Sequence, residues 1–255
     1  MKLNNWLKKQ SWLRSAYLLF ASWRALRFNV FLFFRETFLF SQAYTKQKAN
    51  KNFRLAGGNL YPILHEKHYY AGLDPIYFFQ DAWLARKIFQ AKPKKHVDIA
   101  SNLKLISILA QFVPTIFVDI NRPALGFENL EYLQADIRKL PFKDNSLESL
   151  SSICVVEHIG LGRYGDEIDA FGSEKAAVEL QRVLARGGNL YISLPVDGEN
   201  KVYFNAHRAF AREYALRLFS GLELKEERYL YGSNLGEHYK PELGFGTGFF
   251  HFHKA

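Results

Sequence analysis

Two stretches decide the fold: ADIRKLPFKDNSLESLSSICVVEHI, residues 135–159, and ELQRVLARGGNLYISLP, residues 179–195. The first runs from an acid, Asp136, through Leu140-Pro141-Phe142 and a turn of Asp144-Asn145-Ser146 into an apolar run that ends in Glu157-His158. Asp, Asn and Ser favour such turns because their short side chains hydrogen-bond the neighbouring backbone. The second carries helical spacing up to Gly187-Gly188 and then turns apolar. Glycine supplies the positive φ with which a helix breaks off before a strand.

Outward from this pair, apolar runs alternate with helical patterns. Strands are expected over 96–100, 115–120, 133–135, 150–156 and 189–194, and helices over 103–112, capped by Asn102, and over 173–184. Two further strands, over 222–231 and 249–253, come after a helix over 206–219 that Asn205 would cap. Alternation of this kind predicts a doubly wound α/β domain, in which ligands bind beyond the carboxyl ends of the parallel strands. Asp119 and Asp136 stand at two of those ends.

The order of acid, Leu-Pro-Phe, turn, strand ending in Glu-His, helix, Gly-Gly and strand closely resembles the class I S-adenosylmethionine-dependent methyltransferases. Arg186 replaces their usual proline before the glycine pair. YFFQDAWLARKI (77–88), VEHIGLGRYGD (156–166) and YFNAHR (203–208) resemble more closely an uncharacterised methyltransferase-like family first described from nematodes and also present in bacteria. The resemblance covers about 60–255 and implies a Rossmann-like fold with a seven-stranded, mostly parallel sheet and S-adenosyl-L-methionine as cofactor. It places Asp119 on the ribose hydroxyls and Asp136, with Ile137 beside it, on the adenine. It names no substrate.

The first loop departs from that pattern. Where the superfamily has Asp-x-Gly-x-Gly-x-Gly, this chain reads Asp98-Ile-Ala-Ser-Asn-Leu-Lys104, with Ala100 in the first glycine slot and Asn102 in the second. Asn tolerates left-handed backbone and Ala is small, so Asp98, Ala100 and Ser101 remain the expected cofactor loop. Two functional readings stand. One is a methyltransferase; the other is a module that kept the fold, lost the chemistry and serves as a tethered scaffold.

For the enzyme, methyl transfer is an in-line attack that needs alignment, and a general base when the nucleophile is a hydroxyl. His158 is the first candidate base and His207 the second; as a non-catalytic alternative, His158 bonds only neighbouring backbone. Glu157 contacts the cofactor or orients a ligand. The glycine-rich loop with Arg163, Tyr164 and Asp166, and the later Asn205 and Arg208, are expected on the acceptor, a small molecule or saccharide methylated on oxygen.

Composition bounds the rest. The chain has 255 residues and a net charge of +9, concentrated before residue 55, where eleven Lys and Arg face the single acid Glu36. An excess of this kind suits an anionic partner. The longest uncharged stretch, 15–23, is far short of the ~20 apolar residues a spanning helix needs. At ~100° per residue, Arg14, Arg24, Arg27 and Arg35 fall on one side, with Trp, Phe and Leu over most of the rest. Residues 1–40 thus read either as a helix lying on an anionic membrane surface or as one docked on the domain. A nucleic-acid partner is disfavoured because the basic residues lie outside the expected cleft.

The expected layout is a basic segment and linker over 1–52, a helical cover over 53–93 opened by Asp74-Pro75, and the methyltransferase-like domain over 94–255. The protein is expected in the cytoplasm, on the inner membrane face if the segment binds lipid. One cysteine, Cys154, cannot staple a fold and is expected at a buried strand position. The His65/His68 and His251/His253 pairs lack a third ligand, so no metal is expected.

Overall fold

The computed structural model describes residues 11–46, 60, 62, 74–126 and 128–255. The chain divides into two compact units, Met1–Leu73 and Asp74–Ala255. In the first, helix α1 spans Ser11–Lys46. The linker expected from residue 41 therefore begins inside a helix. Trp23, Phe28, Phe31, Phe34 and Phe38 are exposed. At helical period these four phenylalanines share the side of Arg27 and Arg35, so aromatic and basic residues interleave instead of separating. Arg27 stacks over the Trp23 ring at 4.9 Å. No helix among the described residues is long and apolar enough to cross a membrane. His65, His68 and Gly57-Gly58 lie outside the described residues.

The second unit opens with α2, Pro75–Ala91, which belongs to the same compact body as the sheet. Asp74 caps it by accepting the Ile76 N–H at 2.8 Å, and Pro75 occupies the first turn, where no N–H is needed. Its buried face is Gln80, Trp83, Leu84 and Ile88, whereas Phe89 is exposed. Then come β1 (His96–Ile99), α3 (Leu103–Leu109), β2 (Thr115–Asp119), β3 (Leu130–Gln134) and β4 (Leu147–Ile153). After them stand α4 (Gly172–Val183), β5 (Leu184–Val196), β6 (Lys201–Tyr203), β7 (His207–Ala209), α5 (Arg212–Leu218), β8 (Glu223–Tyr231), β9 (Asn234–Gly236) and β10 (Gly246–His253).

The main sheet has the order β3-β2-β1-β4-β5-β10-β8-β9. Strands β3 to β5 are parallel, with β1 set against β2 from His96↔Thr115 to Ile99↔Val118. Strand β10 is antiparallel to both its neighbours. The sheet thus has the seven expected strands plus a short edge strand, β9. Alternate side chains feed two cores. Val97, Ile99, Leu150, Leu190, Ile192 and Leu194 pack with α4 and α5 on one face. Phe117, Ile153, Tyr191 and Phe249 pack with Trp83, Leu84 and Ile88 of α2 and with α3 on the other.

Three local expectations need correction. The fourth strand ends at Ile153 instead of 156, because Cys154 adopts φ +53 and cannot continue extended backbone. No helix starts at 206: residues 201–209 form the β6–β7 hairpin, with Asn205 at φ +61 in its turn, and the helix begins at Arg212. Asn205 caps nothing helical.

Candidate functional site

A cavity of about 410 Å³ opens at the carboxyl ends of β1 to β4. Pockets of roughly this size hold drug-sized ligands. Its walls include Ala100, Ser101, Asp119, Asp136, Ile137, His158, Tyr164 and Asp166, eight of the fourteen residues singled out by sequence. Asp98, Glu157, Arg163, Asn205, His207 and Arg208 are not on the wall.

The glycine-free loop forms through side-chain bonding. Ala100 takes φ +56, so it is Ala100, and not Asn102, that adopts the left-handed turn. That conformation costs an L-residue roughly 1–2 kcal/mol, and the surroundings must hold it. Asp98, fully buried, does so: it accepts the Ser101 N–H at 3.0 Å and the Ser101 hydroxyl at 2.7 Å. The Ser101 oxygen in turn accepts the Ile153 N–H of β4 at 2.9 Å. Ser151 also donates to Asp98, and His96 Nε2 and Nδ1 lie 2.9 Å from Ser151 and Ser149. Burial pushes the Asp98 carboxyl up to about 6 against the pull of these serine hydrogen bonds, and burial lowers His96 to about 3, so the ring is neutral. Asp98 shapes the loop from behind and does not face the cavity. Asn102 extends and caps α3, accepting the Lys104 N–H at 3.0 Å.

The two strand-end acids differ. Asp119 gives Oδ1 to the Asn121 N–H at 2.7 Å, and Oδ2 has no hydrogen bond among the described residues. Burial raises its pKa. Asp136 is bound by Arg138, through Nε at 3.1 Å and NH2 at 2.7 Å, which holds its carboxyl below the usual range.

His158 is set by the backbone. Its Nδ1 lies 2.6 Å from the Ala206 carbonyl, which can only accept, so Nδ1 carries the proton and Nε2 keeps its lone pair. Burial lowers its pKa to about 4, leaving a neutral base near pH 7. The Ala206 carbonyl comes from the β6–β7 turn, so the hairpin that replaced the expected helix is what orients the ring. His207 lies 6.5 Å from His158, ring to ring, packed between Tyr203 and Phe245, away from the wall.

The loop after β4 commits its polar groups to itself. Asp166 accepts the Gly160 N–H at 2.6 Å and the Tyr164 N–H at 3.3 Å. Arg163 donates to the Ala206 carbonyl at 3.0 Å and stacks on Tyr164. Arg208, almost fully buried, donates to the carbonyls of Ile159, Asp169 and Ala170 and to Ser173. It clamps the loop and has no reach toward an acceptor; the same holds for Asn205 in its exposed turn.

The wall residues that the sequence reading did not single out include Tyr77 on α2, Asn121 after β2, and Cys154. Tyr77 lies far along the chain from Tyr164, the aromatic that sequence had marked, so no local signal joined them. Cys154 donates to Gln80 Oε1 at 3.1 Å, and burial raises its thiol well above the usual range. His251 stacks on Tyr191 and lies 2.8 Å from Asn189 Oδ1. Among the described residues no group of His, Cys, Asp and Glu is arranged to hold a metal ion.

Comparison with solved structures settles the architecture. The N-methyltransferase NodS from Bradyrhizobium japonicum, solved with S-adenosyl-L-homocysteine, matches 72% of this chain and 89% of its own at 12% identity and a TM-score of 0.53. The fold is that of the class I methyltransferases. The Burkholderia thailandensis 1,6-didemethyltoxoflavin-N1-methyltransferase, solved with 1,6-didemethyltoxoflavin and S-adenosylhomocysteine, covers 72% of this chain and 79% of its own at 12% identity, with a TM-score of 0.50. The [4+2]-cyclase SpnF has the same TM-score of 0.50 at 11% identity, over 67% of this chain and 81% of its own. The fold therefore does not by itself dictate the reaction. Residues 138–229 match DUF268, a Caenorhabditis family of unknown function. No curated protein matches the chain.

Proposed function

We propose that this chain is an S-adenosyl-L-methionine-dependent methyltransferase acting on a hydroxyl of a small acceptor. The observation that carries the reading is His158, fixed as a neutral imidazole with an Nε2 lone pair, on the wall of a cavity that also holds Asp119, whose Oδ2 has no hydrogen bond among the described residues. The residues present fit the cofactor. Ala100 makes a left-handed turn that would let backbone pass close to a ligand, Asp119 Oδ2 would accept from the ribose hydroxyls, and Ile137 and Asp136 would frame the adenine end. Asp136 would serve there as the seat of Arg138 more than as a free acceptor. The cofactor supplies an electrophilic methyl group; the chain supplies alignment and a place for the proton.

The wall around His158 favours an acceptor with an apolar body. Tyr77, Val155, Ile159 and Tyr164 line it, while Asp166 and Arg163, the groups that would have read a saccharide, are bound within their own loop and to the hairpin beside it. The interleaved arginines and phenylalanines of α1 support contact with an anionic membrane surface, where arginine heads reach lipid phosphates from among buried rings.

Calorimetric titration of the full chain with S-adenosyl-L-homocysteine tests the cofactor. Micromolar binding that is lost in Asp119→Ala supports the proposal, and no heat at millimolar ligand leaves the scaffold reading in its place. Flotation with phosphatidylglycerol vesicles tests α1: the full chain should float, and a chain with Arg27→Glu and Arg35→Glu should stay at the bottom of the gradient.

A further inference from the structure

Glu157 stands beside the candidate base without reaching the cavity. It lies in the 3-10 turn Val156–His158 and is 1% exposed. Its Oε1 is 3.7 Å from His158 Nε2, and its Oε2 is buried without a hydrogen-bond partner among the described residues. Burying an ionised carboxylate with an unpaired oxygen is far costlier than burying the neutral acid, so the place favours the protonated form. The other side of the imidazole is committed, since Nδ1 donates to the Ala206 carbonyl. Every proton that His158 gains must therefore arrive at Nε2, within reach of Glu157.

Resting on the reading of His158 as the base, we propose that Glu157 and His158 work as one buried acid–base pair holding a single proton. Glu157 carries it while the cavity is empty, which leaves His158 Nε2 free for the acceptor's. In the transfer step the acceptor O–H breaks and its proton goes to Nε2. The oxygen's electron pair forms the O–CH3 bond, and the electrons of the S–CH3 bond return to sulfur. The Nε2 proton then leaves to solvent. Glu157 is a positioning residue: by holding the resting proton it leaves the pair uncharged until the acceptor's proton reaches Nε2.

Burial pushes Glu157 up to about 8, in keeping with a neutral acid at pH 7. Around the pair, Cys154 and Arg163 face Glu157, and Arg163, His207, Asp166 and the Tyr164 ring face His158. Helix α2 brings Tyr77, Gln80 and Asp81 near the same cluster. Of the elements packed on the turn, β7 adds Arg208, α4 adds Glu174, held by Tyr214, and β5 carries Arg186, which is exposed.

The test tracks the His158 ring of the intact chain by carbon-13 NMR, with labelled histidine, from pH 3.5 to 9.5. Wild type should show two steps, one near 4 and one near 8, the second reporting Glu157. In Glu157→Gln the upper step should vanish and the lower one remain. A single step in wild type, or an upper step that survives in Glu157→Gln, overturns the proposal, and the wild-type curve alone suffices if the variant does not fold. Two steps without S-adenosyl-L-homocysteine binding would keep the pair and remove the enzyme reading, so the two failures are separable.

Discussion

Ser101→Ala probes how a loop without glycine keeps its shape. The hydroxyl makes two buried hydrogen bonds, giving its proton to Asp98 Oδ2 at 2.7 Å and accepting the Ile153 N–H at 2.9 Å. Removing it leaves the Ile153 N–H without that partner and Asp98 Oδ2 with Ser151 alone, at about 1–3 kcal/mol each, or roughly 2–6 kcal/mol together. A unit of this size loses about 2–4 °C of Tm per kcal/mol, so the expected fall is roughly 4–24 °C. The loss should depend on pH. Asp98 sits at about 6 in the fold, above the ~3.9 of an unfolded aspartate, so the folded state binds the extra proton in between. Its burial cost is absent below ~4 and complete only as pH rises through the folded value. Without Ser101 the carboxylate is less well solvated still, and the penalty should be larger at pH 8 than at pH 5. Scanning calorimetry of wild type and variant at both pH values measures this, other groups cancelling in the difference. A Tm loss below ~2 °C, or one equal at both pH values, refutes the account.

Relieving the left-handed strain in Ala100→Gly should stabilise the protein by up to about 1 kcal/mol after the entropy of glycine is counted, and Ala100→Val should destabilise it by more than that; guanidinium unfolding gives both. Arg208→Met leaves the carbonyls of Ile159, Asp169 and Ala170 without their donor and should cost about 3 kcal/mol, with faster proteolysis inside 160–171 as the local readout. Burial pushes the Glu226 carboxyl up, but Lys87, Trp83 and Arg228 outweigh it and hold it below the usual range. The stability it contributes is present above ~4.3 and lost as pH falls through the folded value, so Glu226→Gln should cost about 1 kcal/mol at pH 7 and progressively less as pH falls below ~4.

The amino-acid order alone determined the alternation of strands and helices, the strand-end positions of Asp119 and Asp136, and the Asn102 cap. Each rests on a local rule: period 2 against period 3.6, or a side chain that reaches backbone two residues on. The eight wall residues were legible for the same reason, since in a parallel sheet the carboxyl end of a strand is a place that sequence can count to.

What tertiary structure decided concerns groups far apart in the chain. Nothing local distinguishes Asp98 facing a ligand from Asp98 holding Ser101, because Ser151 on β4 is what draws its carboxylate inward. The run after 201 has helical spacing, yet it forms a hairpin whose Ala206 carbonyl is claimed by His158 and Arg163 from the loop after β4. Arg208 is inside because it donates to the carbonyls of Ile159, Asp169 and Ala170 from the far side of the loop. Tyr77 reaches the cavity only because α2 lies across the strands it precedes. Local sequence sets which backbone conformations are accessible; the partner that satisfies a buried charge or an orphan carbonyl is chosen by packing.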